Sequence, residues 1–300
     1  MDSVGNHNQD RNHGRSIVPI TQTMDGMGCL KMKELKGNGA GLKLSRRLSA
    51  LAEWVPQGAR FADIGTDHAL LPVYLAQQGQ ISYAVAGDVH AGPVEAAKRQ
   101  VSEAGLEEVV SVRLGDGMSV LSPGEVDTVT IAGMGGSLMA RILDQAGDRL
   151  NGVRTLVLSP HVAEDAVRRW LVKHHFVLDR EMLLEEDGII YTLMRAVRSS
   201  DPSEAKESHA RLYDEKTLAP AIAKISSALM YDMGPLLLRH PTEQFLRKWE
   251  EEIAKRERVI LQLKHATAPE AAEKAREWEE DVREIREVLS CLPVEKRSSN

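Results

Sequence analysis

Apolar positions along the chain follow two different periods. Between Leu44 and Val55 they recur at helical spacing, and Pro56 ends the run. Beyond this helix, short apolar and β-branched runs alternate with segments of helical length. The predicted strands are 60–65, 81–89, 109–114, 126–132 and 154–159, and the predicted helices between them are 69–77, 94–104, 137–146 and 164–174. This alternation predicts an α/β fold, with a parallel sheet covered by helices on both faces.

Two further extended segments, 176–184 and 189–197, follow the last of these helices. The residues between them, Glu185–Gly188, include an Asp-Gly pair, which is a hairpin turn signal. The sheet is therefore expected to end in an antiparallel hairpin. After Asp201 and Pro202 the strand pattern disappears, and Ala, Glu, Lys, Arg and Leu dominate the sequence.

The C-terminal part repeats apolar residues at alternating spacings of three and four. The first run is Leu246, Trp249, Ile253, Ile260 and Leu263, and the second is Ala271, Ala275, Trp278, Val282, Ile285 and Leu289. A break at 265–269 separates the two runs. This pattern predicts two helices that fold back as an antiparallel coiled-coil hairpin.

The composition divides the chain into three parts. Residues 1–40 are rich in Asn, Gly, His, Ser and Asp without sustained apolar periodicity, so we expect a disordered N-terminal extension. Residues 41–200 hold the predicted sheet, and residues 201–300 form the helical coiled-coil domain. A chain of 300 residues accommodates one α/β domain and a smaller unit.

The overall charge and the cysteine content argue against a non-selective nucleic-acid-binding protein and against a metal site. The formal net charge of -6 argues against a protein that coats nucleic acid without selectivity, although local basic patches are compatible with it. The two cysteines, Cys29 and Cys291, lie far apart, and the histidines show no metal-binding spacing, so we expect no metal site. The chain has neither a membrane-spanning run nor a secretory signal, which predicts a cytoplasmic protein.

Carboxylates stand at the ends of three successive predicted strands. Asp63 lies within Phe61–His68, where the first strand gives way to a helix and a doubly wound sheet opens its ligand crevice. Asp67 occupies the place of the second glycine in a dinucleotide-binding motif, and its charge would repel a pyrophosphate. The motif therefore favours a cationic or amine-bearing ligand, although a simple turn is the alternative.

The second and third strands end in Asp88 and in Asp116 followed by Gly117. Asp88 is placed to accept hydrogen bonds from both hydroxyls of a ribose, and Asp116 from an exocyclic adenine amine. Each acid alone is also typical of a helix cap or a solvated loop. Three of them at successive strand ends favour ligand binding.

The segment Ile131–Gly136 ends the fourth strand and leaves backbone without side chains beside the crevice, so that a flat group can approach closely. The same glycines resemble the start of a nicotinamide dinucleotide fingerprint. Leu138 stands where the third glycine of that fingerprint is required, and the next strand ends without the ribose-binding acid. We therefore set nicotinamide chemistry aside.

Taken together, these motifs resemble the bacterial tRNA (adenine-22-N1)-methyltransferase family, TrmK, from Leu44 to about Lys264. The residues that carry the resemblance are Leu44–Leu48 (LSRRL), Asp63–Ala69 (DIGTDHA), Leu114–Gly117 (LGDG), Ile131–Gly136 (IAGMGG) and Glu185–Gly188 (EEDG). The resemblance implies a class I (Rossmann-like) methyltransferase domain with a C-terminal coiled coil, which uses S-adenosyl-L-methionine to methylate N1 of adenine 22 in tRNA. The long N-terminal extension departs from the family.

The chemistry agrees with a ring-nitrogen target. Enzymes that methylate an exocyclic amine usually hold it with an Asn or Asp at the end of the fourth strand, where this chain has Ala132–Gly135. Ring N1 already offers a lone pair, so positioning and desolvation can suffice without a general base. The alternatives are a methyltransferase for another RNA and a catalytically silent S-adenosylmethionine-binding scaffold.

The site residues predicted on this basis fall into three groups. The residues expected at the reacting base are Gly133, Met134 and Gly135; those expected at the cofactor are Asp63, Gly65, Thr66, Asp67, His68, Asp88, Val89, Asp116, Gly117 and Ala132. The candidates for phosphate contact with tRNA are Arg46, Arg47, Arg168, Lys248 and Arg256. Such charges are more often solvated or paired locally. The hairpin is expected either to bind tRNA from a monomer or to mediate a coiled-coil dimer.

Overall fold

The computed structural model describes residues 42–218, 225–266 and 268–292. The expected disordered extension at 1–40 lies outside the described residues. Seven strands form a sheet within the described part: β1 (Ala59–Ile64), β2 (Ile81–Asp88), β3 (Val110–Leu114), β4 (Thr128–Met134), β5 (Thr155–Pro160), β6 (Phe176–Glu186) and β7 (Ile189–Arg198).

The strand order is β3-β2-β1-β4-β5-β7-β6. Strands β1 to β5 are parallel to one another, whereas β7 runs antiparallel to both β5 and β6. The predicted hairpin is therefore confirmed. At its turn, Asp187 and Gly188 have φ angles of 51° and 75°, which is the backbone geometry that an Asp-Gly pair favours in tight hairpins.

Helices follow most of the strands. The described helices are α1 (Arg46–Trp54), α2 (Leu70–Gln77), α3 (Ala91–Glu103), α4 (Gly136–Asp144), α5 (Glu164–Lys173), α6 (Pro202–Leu212), α7 (Ser227–Met233), α8 (Pro235–Arg239), α9 (Glu243–His265) and α10 (Ala271–Cys291). The sequence predicted α1 to α5, α9 and α10 individually, but not α6 to α8. None of the helices in the described ranges is both long and apolar enough to cross a membrane.

Alternating side chains of the sheet enter two separate hydrophobic cores. On β1, Phe61 packs with residues of α1, α2 and α3, whereas Ala62 and Ile64 face the core that contains Met139 of α4 and Leu171 of α5. Period-two alternation along a strand places successive side chains on opposite faces. The sheet is therefore covered on both sides, as predicted.

The helices after β7 share a third core. Phe245, Trp249 and Ile253 of α9 pack there with Met233 of α7, and Leu183 of β6 contacts this core from the sheet. Helices α9 and α10 are antiparallel, because Lys264 near the end of α9 pairs with Glu279 at 2.5 Å, whereas Glu257 pairs further along α10 with Arg286 at 2.6 Å. The boundary placed at residue 200 stays a prediction.

Candidate active site

The carboxyl ends of β1 to β5 meet at one edge of the sheet. The chain runs outward from β1 to β3 and then returns to place β4 on the other side of β1. In open parallel sheets such a reversal of strand order opens a ligand crevice beside the two central strands. The structure thus places the end of β1, with Asp63, and the end of β4, with Met134, on the two sides of that reversal.

Asp63 is almost entirely buried, with 8% of its surface exposed. Its carboxylate accepts a hydrogen bond from Thr66 Oγ1 at 2.7 Å. Burial raises the pKa of Asp63 to about 6, against the lowering effect of Thr66, and the neighbouring Asp67 raises it further. A buried carboxyl group with a raised pKa beside such a crevice is a candidate ligand-binding group.

The loop after Asp63 has a tightly constrained backbone. Gly65 has a φ of +74°, and a Cβ at this position would lie 2.7 Å from the Cε atom of Met134. His68 and Ala69 also adopt left-handed conformations, with φ angles of 56° and 52°. The backbone angle therefore favours glycine at position 65, whereas the Met134 methyl is the end of a flexible side chain that can move aside. The side chain of Asp67 lies 3.4 Å from His68 and is 83% exposed.

Asp88 stands at the end of β2 with its side chain only 13% exposed. Its Oδ1 atom accepts the backbone N–H of His90 at 2.7 Å and lies 3.2 Å from the His90 ring. Oδ2 is not engaged in those two contacts. One carboxylate oxygen thus fixes the start of α3, and the other is available to a ligand hydroxyl.

The residues beside the ends of β2 and β3 are more exposed. Asp116 is exposed, and Gly117 follows it with a φ of +52°, where a Cβ would approach Ile142 to 3.0 Å. Val89 and Leu114 are 53% and 61% exposed, although both are apolar. An acid beside two exposed apolar side chains suits a flat ring that carries a polar edge.

The loop after β5 fixes the glycine segment in which β4 ends and α4 begins. His161 N–H donates to the carbonyl of Met134 at 3.1 Å, and Gly136 N–H donates to the carbonyl of Val162 at 2.7 Å. A Cβ on Gly136 would lie 2.0 Å from the carbonyl oxygen of Ala163. The strand itself runs two residues further than predicted, to Met134, so that Ala132, Gly133 and Met134 are still part of β4.

Two aromatic side chains at this edge were not predicted as site residues. Tyr191 and His161 lie with ring centroids 5.4 Å apart, and the guanidinium of Arg47 lies 4.9 Å from the Tyr191 centroid. Burial lowers the pKa of His161, and the positive charge of Arg47 lowers it further. The sequence did contain a signal, because β7 is antiparallel and its beginning must therefore reach the edge at which the parallel strands end.

The expected phosphate contact of Arg168 is wrong. This side chain is 1% exposed and pairs with the fully buried Glu181, at 2.6 Å. Its Nη1 atom also donates to the carbonyls of Tyr231 and Asp232, at 2.5 and 2.8 Å. Arg168 therefore joins α5 to β6 and α7, and it has no access to an external phosphate.

Lys248 and Arg256 are engaged within the protein as well. Lys248 pairs with Glu164 and donates to Thr192 Oγ1 at 2.8 Å. Arg256 is 16% exposed and lies among the carboxylates of Glu252 at 3.1 Å, Asp281 at 3.5 Å and Asp232 at 3.6 Å. A phosphate would have to compete with these carboxylates for either side chain. Arg46, by contrast, is exposed and donates to the carbonyl of Glu185 at 3.3 Å.

A cleft of about 480 Å³ adjoins this edge of the sheet and extends to α9. Val162 and Ile189, at its margin, are 64% and 54% exposed. On the α9 side it is lined by Trp249, Lys255 and Arg256 together with the acidic Glu251 and Glu252. In the residues that the structure describes, no cluster of His, Cys, Asp or Glu has the grouping of a metal site.

Comparison with known proteins agrees with this geometry. Residues 61–287 match the family model described as tRNA (adenine(22)-N(1))-methyltransferase, TrmK. The chain belongs to the TrmK family. The resemblance drawn from its motifs and the class I methyltransferase fold are thereby confirmed.

Individual TrmK relatives extend the match over most of the chain. The tRNA (adenine(22)-N(1))-methyltransferase of Bacillus subtilis (strain 168) is 38% identical over 249 residues, which cover 83% of this chain and 98% of the relative. The crystal structure of the B. subtilis M1A22 tRNA methyltransferase TrmK is similar, with a TM-score of 0.73 at 37% identity, and the match covers 83% of this chain and 99% of that one. A candidate tRNA (m1A22) methyltransferase of Streptococcus pneumoniae, crystallised in complex with S-adenosyl-L-methionine, has a TM-score of 0.67 at 33% identity, with coverage of 82% and 100%.

Proposed function

We propose that the protein transfers the methyl group of S-adenosyl-L-methionine to N1 of adenine 22 in tRNA. The observation that carries this proposal is the row of acids at the ends of β1, β2 and β3, Asp63, Asp88 and Asp116, beside a glycine segment that ends β4. Membership of the TrmK family and the S-adenosyl-L-methionine complex of the streptococcal relative support the choice of methyl donor.

The residues fit a nucleoside that carries a positively charged chain. Asp88 Oδ2, which has no hydrogen-bond partner among the described residues, would accept a ribose hydroxyl, and Asp116 would accept the adenine amine with Gly117 and Val89 beside the ring. Asp63, Gly65 and the loop of Thr66, Asp67 and His68 surround the charged chain. Ala132, near the end of β4 beside β1, is the further cofactor residue that we place there. When bound, S-adenosyl-L-methionine supplies a methyl group on a positively charged sulfur.

The glycine segment defines where the target base enters. Gly133 is exposed and nothing lies within 4 Å of a Cβ built there, so a flat ring can approach the backbone at this point. Met134 and Gly135 border the same opening. The lone pair of N1 forms the new N–C bond as the C–S bond breaks, and the positive charge passes to the adenine ring. Because no proton leaves, positioning and exclusion of water suffice without a general base.

N1 lies on the edge that adenine uses for base pairing, so the target must be turned out of any paired structure before reaction. We infer that the cleft between the strand edge and α9 accommodates the RNA beside the turned-out base. Arg46, Lys255 and Arg258 are the exposed cations we place at the RNA backbone. Helix α10 is a poor phosphate surface, since it carries seven acidic and four basic side chains.

The hairpin already buries its apolar stripe within one chain. Ile253 and Ile260 of α9 pack with Val282, Ile285 and Val288 of α10. This internal packing favours an RNA-binding arm on a monomer over a coiled-coil dimer. Sedimentation of the protein alone and with tRNA tests this, because a dimer without RNA would contradict it.

The decisive experiment for the reaction uses two unmodified tRNA transcripts, which differ only in the presence or absence of adenine at position 22. After incubation with S-adenosyl-L-methionine, nucleoside mass spectrometry and site mapping measure the product. We expect 1-methyladenosine at position 22 of the first transcript and none in the second. Methylation at another position would overturn the target, and binding of the donor without any product would support a scaffold role.

A further inference from the structure

His161 is an exposed residue directly after β5, beside the glycine segment. Its backbone N–H donates to the carbonyl of Met134 at 3.1 Å, so its main chain is tied to the end of β4. The imidazole lines the cleft that extends to α9, and it has no hydrogen-bond partner among the residues that the structure describes. The main chain of His161 is therefore fixed, whereas its ring nitrogens are available to a ligand.

An irregularity in β4 places this histidine next to the opening for the target base. The register between β4 and β5 shifts between Ala132 and Met134, so Gly133 is an extra residue in β4. Gly133 is exposed, and nothing lies within 4 Å of a Cβ built there. Met134 pairs with Pro160, and His161 follows directly. His161 therefore carries the first side chain beyond β5 at this opening.

Apolar and aromatic side chains accompany the imidazole. Val162 and Ile189 line the same cleft, with 64% and 54% of their surface exposed. The Tyr191 ring lies 5.4 Å from the ring of His161, and the two planes are tilted by 59°. Apolar side chains with a small number of polar groups among them are the usual lining of a site for a flat ligand. The apolar side chains can contact the face of a base, and the imidazole can contact its edge.

The charge on the imidazole determines which base edge it can bind. Burial lowers the pKa of His161, and the positive charge of Arg47 lowers it further, so the ring is mostly neutral at pH 7. A neutral imidazole has one nitrogen that accepts a hydrogen bond. Next to N1, adenine carries an exocyclic amine, which donates, whereas guanine carries a carbonyl oxygen, which accepts. An acceptor at this place therefore favours adenine over guanine.

We propose that a ring nitrogen of His161 accepts a hydrogen bond from the exocyclic N6 amine of the target adenine. His161 is thus a substrate-binding residue that distinguishes adenine from other purines beside the reacting N1 atom. A site built to bind an amine disfavours a base that lacks it, because the polar group of the site is then left without a partner. This inference rests on the proposed function and assigns a part of the same site, at the base and not at the methyl donor.

The experiment uses two tRNAs that differ only in the amine of nucleotide 22. One carries adenosine, and the other carries purine ribonucleoside, which keeps N1 but has hydrogen in place of the amine. Methyl transfer from S-adenosyl-L-methionine gives kcat/KM for each tRNA with the wild type and with His161→Phe. We expect His161→Phe to lower kcat/KM about tenfold for the adenosine tRNA, as for the loss of one hydrogen bond, and to leave it unchanged for the purine tRNA. The different intrinsic reactivity of N1 in the two bases is the same for both proteins, so it cancels in this comparison.

Two asparagine variants serve as controls. His161→Asn keeps an acceptor oxygen and should lose less of the preference for adenosine than His161→Phe does. His175→Asn removes an exposed histidine before β6, at the opposite edge of the sheet, and should leave the preference unchanged. Asparagine tolerates the left-handed backbone at position 175, where φ is 59°. Thermal unfolding of each variant, together with retained affinity for S-adenosyl-L-methionine in calorimetry, shows that the fold and the donor site are intact.

Three results would overturn the assignment. Equal losses for the two tRNAs in His161→Phe would indicate that the imidazole supports the fold or the stacking of the base without binding its amine. Unchanged kcat/KM for both tRNAs would remove His161 from the base site, and weaker donor binding by His161→Phe would place the ring at the methyl donor instead. A wild-type protein that leaves adenosine 22 unmethylated would contradict the proposed function as well, which distinguishes that failure from failure of this inference alone.

Discussion

Arg168 and Glu181 form a salt bridge in the interior of the protein, with the guanidinium Nη2 2.6 Å from the carboxylate Oε1 and side-chain exposures of 1% and 0%. Because Arg168 also donates to the carbonyls of Tyr231 and Asp232, one side chain joins α5, β6 and α7. Helix α5 begins directly after the loop that holds the glycine segment of β4. Arg168 therefore connects α7, one of the C-terminal helices, to α5, whose preceding loop contacts the candidate active site.

We predict that Arg168→Met lowers the free energy of unfolding by about 3–5 kcal/mol, because it leaves a buried carboxylate without its partner. The double variant Arg168→Met/Glu181→Leu should recover part of this loss. It should not recover all of it, since the carbonyls of Tyr231 and Asp232 still lack a donor. Urea denaturation of the three proteins measures the difference. A single variant as stable as the wild type would contradict the prediction.

The burial of Arg168 shows where sequence reasoning reached its limit. Val167, Arg168 and Leu171 all lie on the buried face of α5, so the helical period did place Arg168 among core positions. Its partner was harder to find. The pairing of β6 with β7 shifts register between Leu178 and Arg180, and such an irregularity breaks the simple alternation of faces along the strand. The face of Glu181 therefore could not be inferred from its position in the sequence.

The strand-end residues were more predictable. Asp63 and Asp88 follow apolar runs, and the carboxyl ends of parallel strands share one edge, so their juxtaposition follows from periodicity and topology alone. Arg47 lies at this edge because α1 packs there, and Tyr191 lies there because β7 is antiparallel. Their positions depend on packing between distant segments, which local patterns do not encode.

At Gly136 the structure leaves no room for a side chain. A Cβ there would lie 2.0 Å from the backbone oxygen of Ala163, so the loop after β5 must move. We predict that Gly136→Ala destabilises the protein by about 3 kcal/mol, which is at the upper end for overpacking, and lowers kcat. Gly135→Ala is the matched control for stability, since its Cβ would meet Val162 Cγ2 at an ordinary 3.6 Å. Equal melting temperatures for the two variants would refute the steric argument.

Loss of the Asp88 side chain should reduce the affinity for the donor more than the stability of the fold. We predict that Asp88→Ala weakens S-adenosyl-L-methionine binding by about 10- to 100-fold, through loss of a charged acceptor, and lowers stability by about 1 kcal/mol, through loss of the hydrogen bond from His90 N–H. Asp88→Asn keeps one acceptor oxygen and should lose less affinity. Calorimetry measures the binding and thermal unfolding the stability. Unchanged affinity in Asp88→Ala would remove this residue from the site.

The exposed cations of α9 allow a test of whether the α9–α10 hairpin binds tRNA. We predict that Lys255→Ala/Arg258→Ala raises the Kd for tRNA and makes the dependence of log Kd on log salt less steep, by about 0.7–0.9 for each phosphate that the variant no longer neutralises. Affinity for S-adenosyl-L-methionine should not change. Lys274→Ala/Arg276→Ala, on the more acidic α10, serves as the charge-matched control. An unaltered salt dependence in the α9 variant would leave the arm without a role in RNA binding.

Asp63 gives the donor site a defined dependence on pH. Its folded pKa of about 6 lies above the ordinary value of 3.8, so the folded protein holds the proton more tightly than the unfolded chain between these values. The free energy of unfolding of the unliganded protein should therefore fall as pH rises from about 4 to 6, through this group. Donor binding should change in the opposite direction, because an ionised Asp63 carboxylate attracts the positively charged chain of the donor.

We predict that affinity for S-adenosyl-L-methionine rises roughly tenfold between about pH 5 and pH 7, as a carboxyl with a pKa near 6 ionises. Asp67, Asp88 and Arg47 also act on this carboxyl, and burial and the charge of Arg47 lower the pKa of His161 at the same edge of the sheet. Asp63→Asn should bind weakly at every pH, with a flattened profile, whereas His161→Asn should retain the rise. If His161→Asn were the variant that flattened the profile, the imidazole and not the buried carboxyl would set the pH dependence of donor binding.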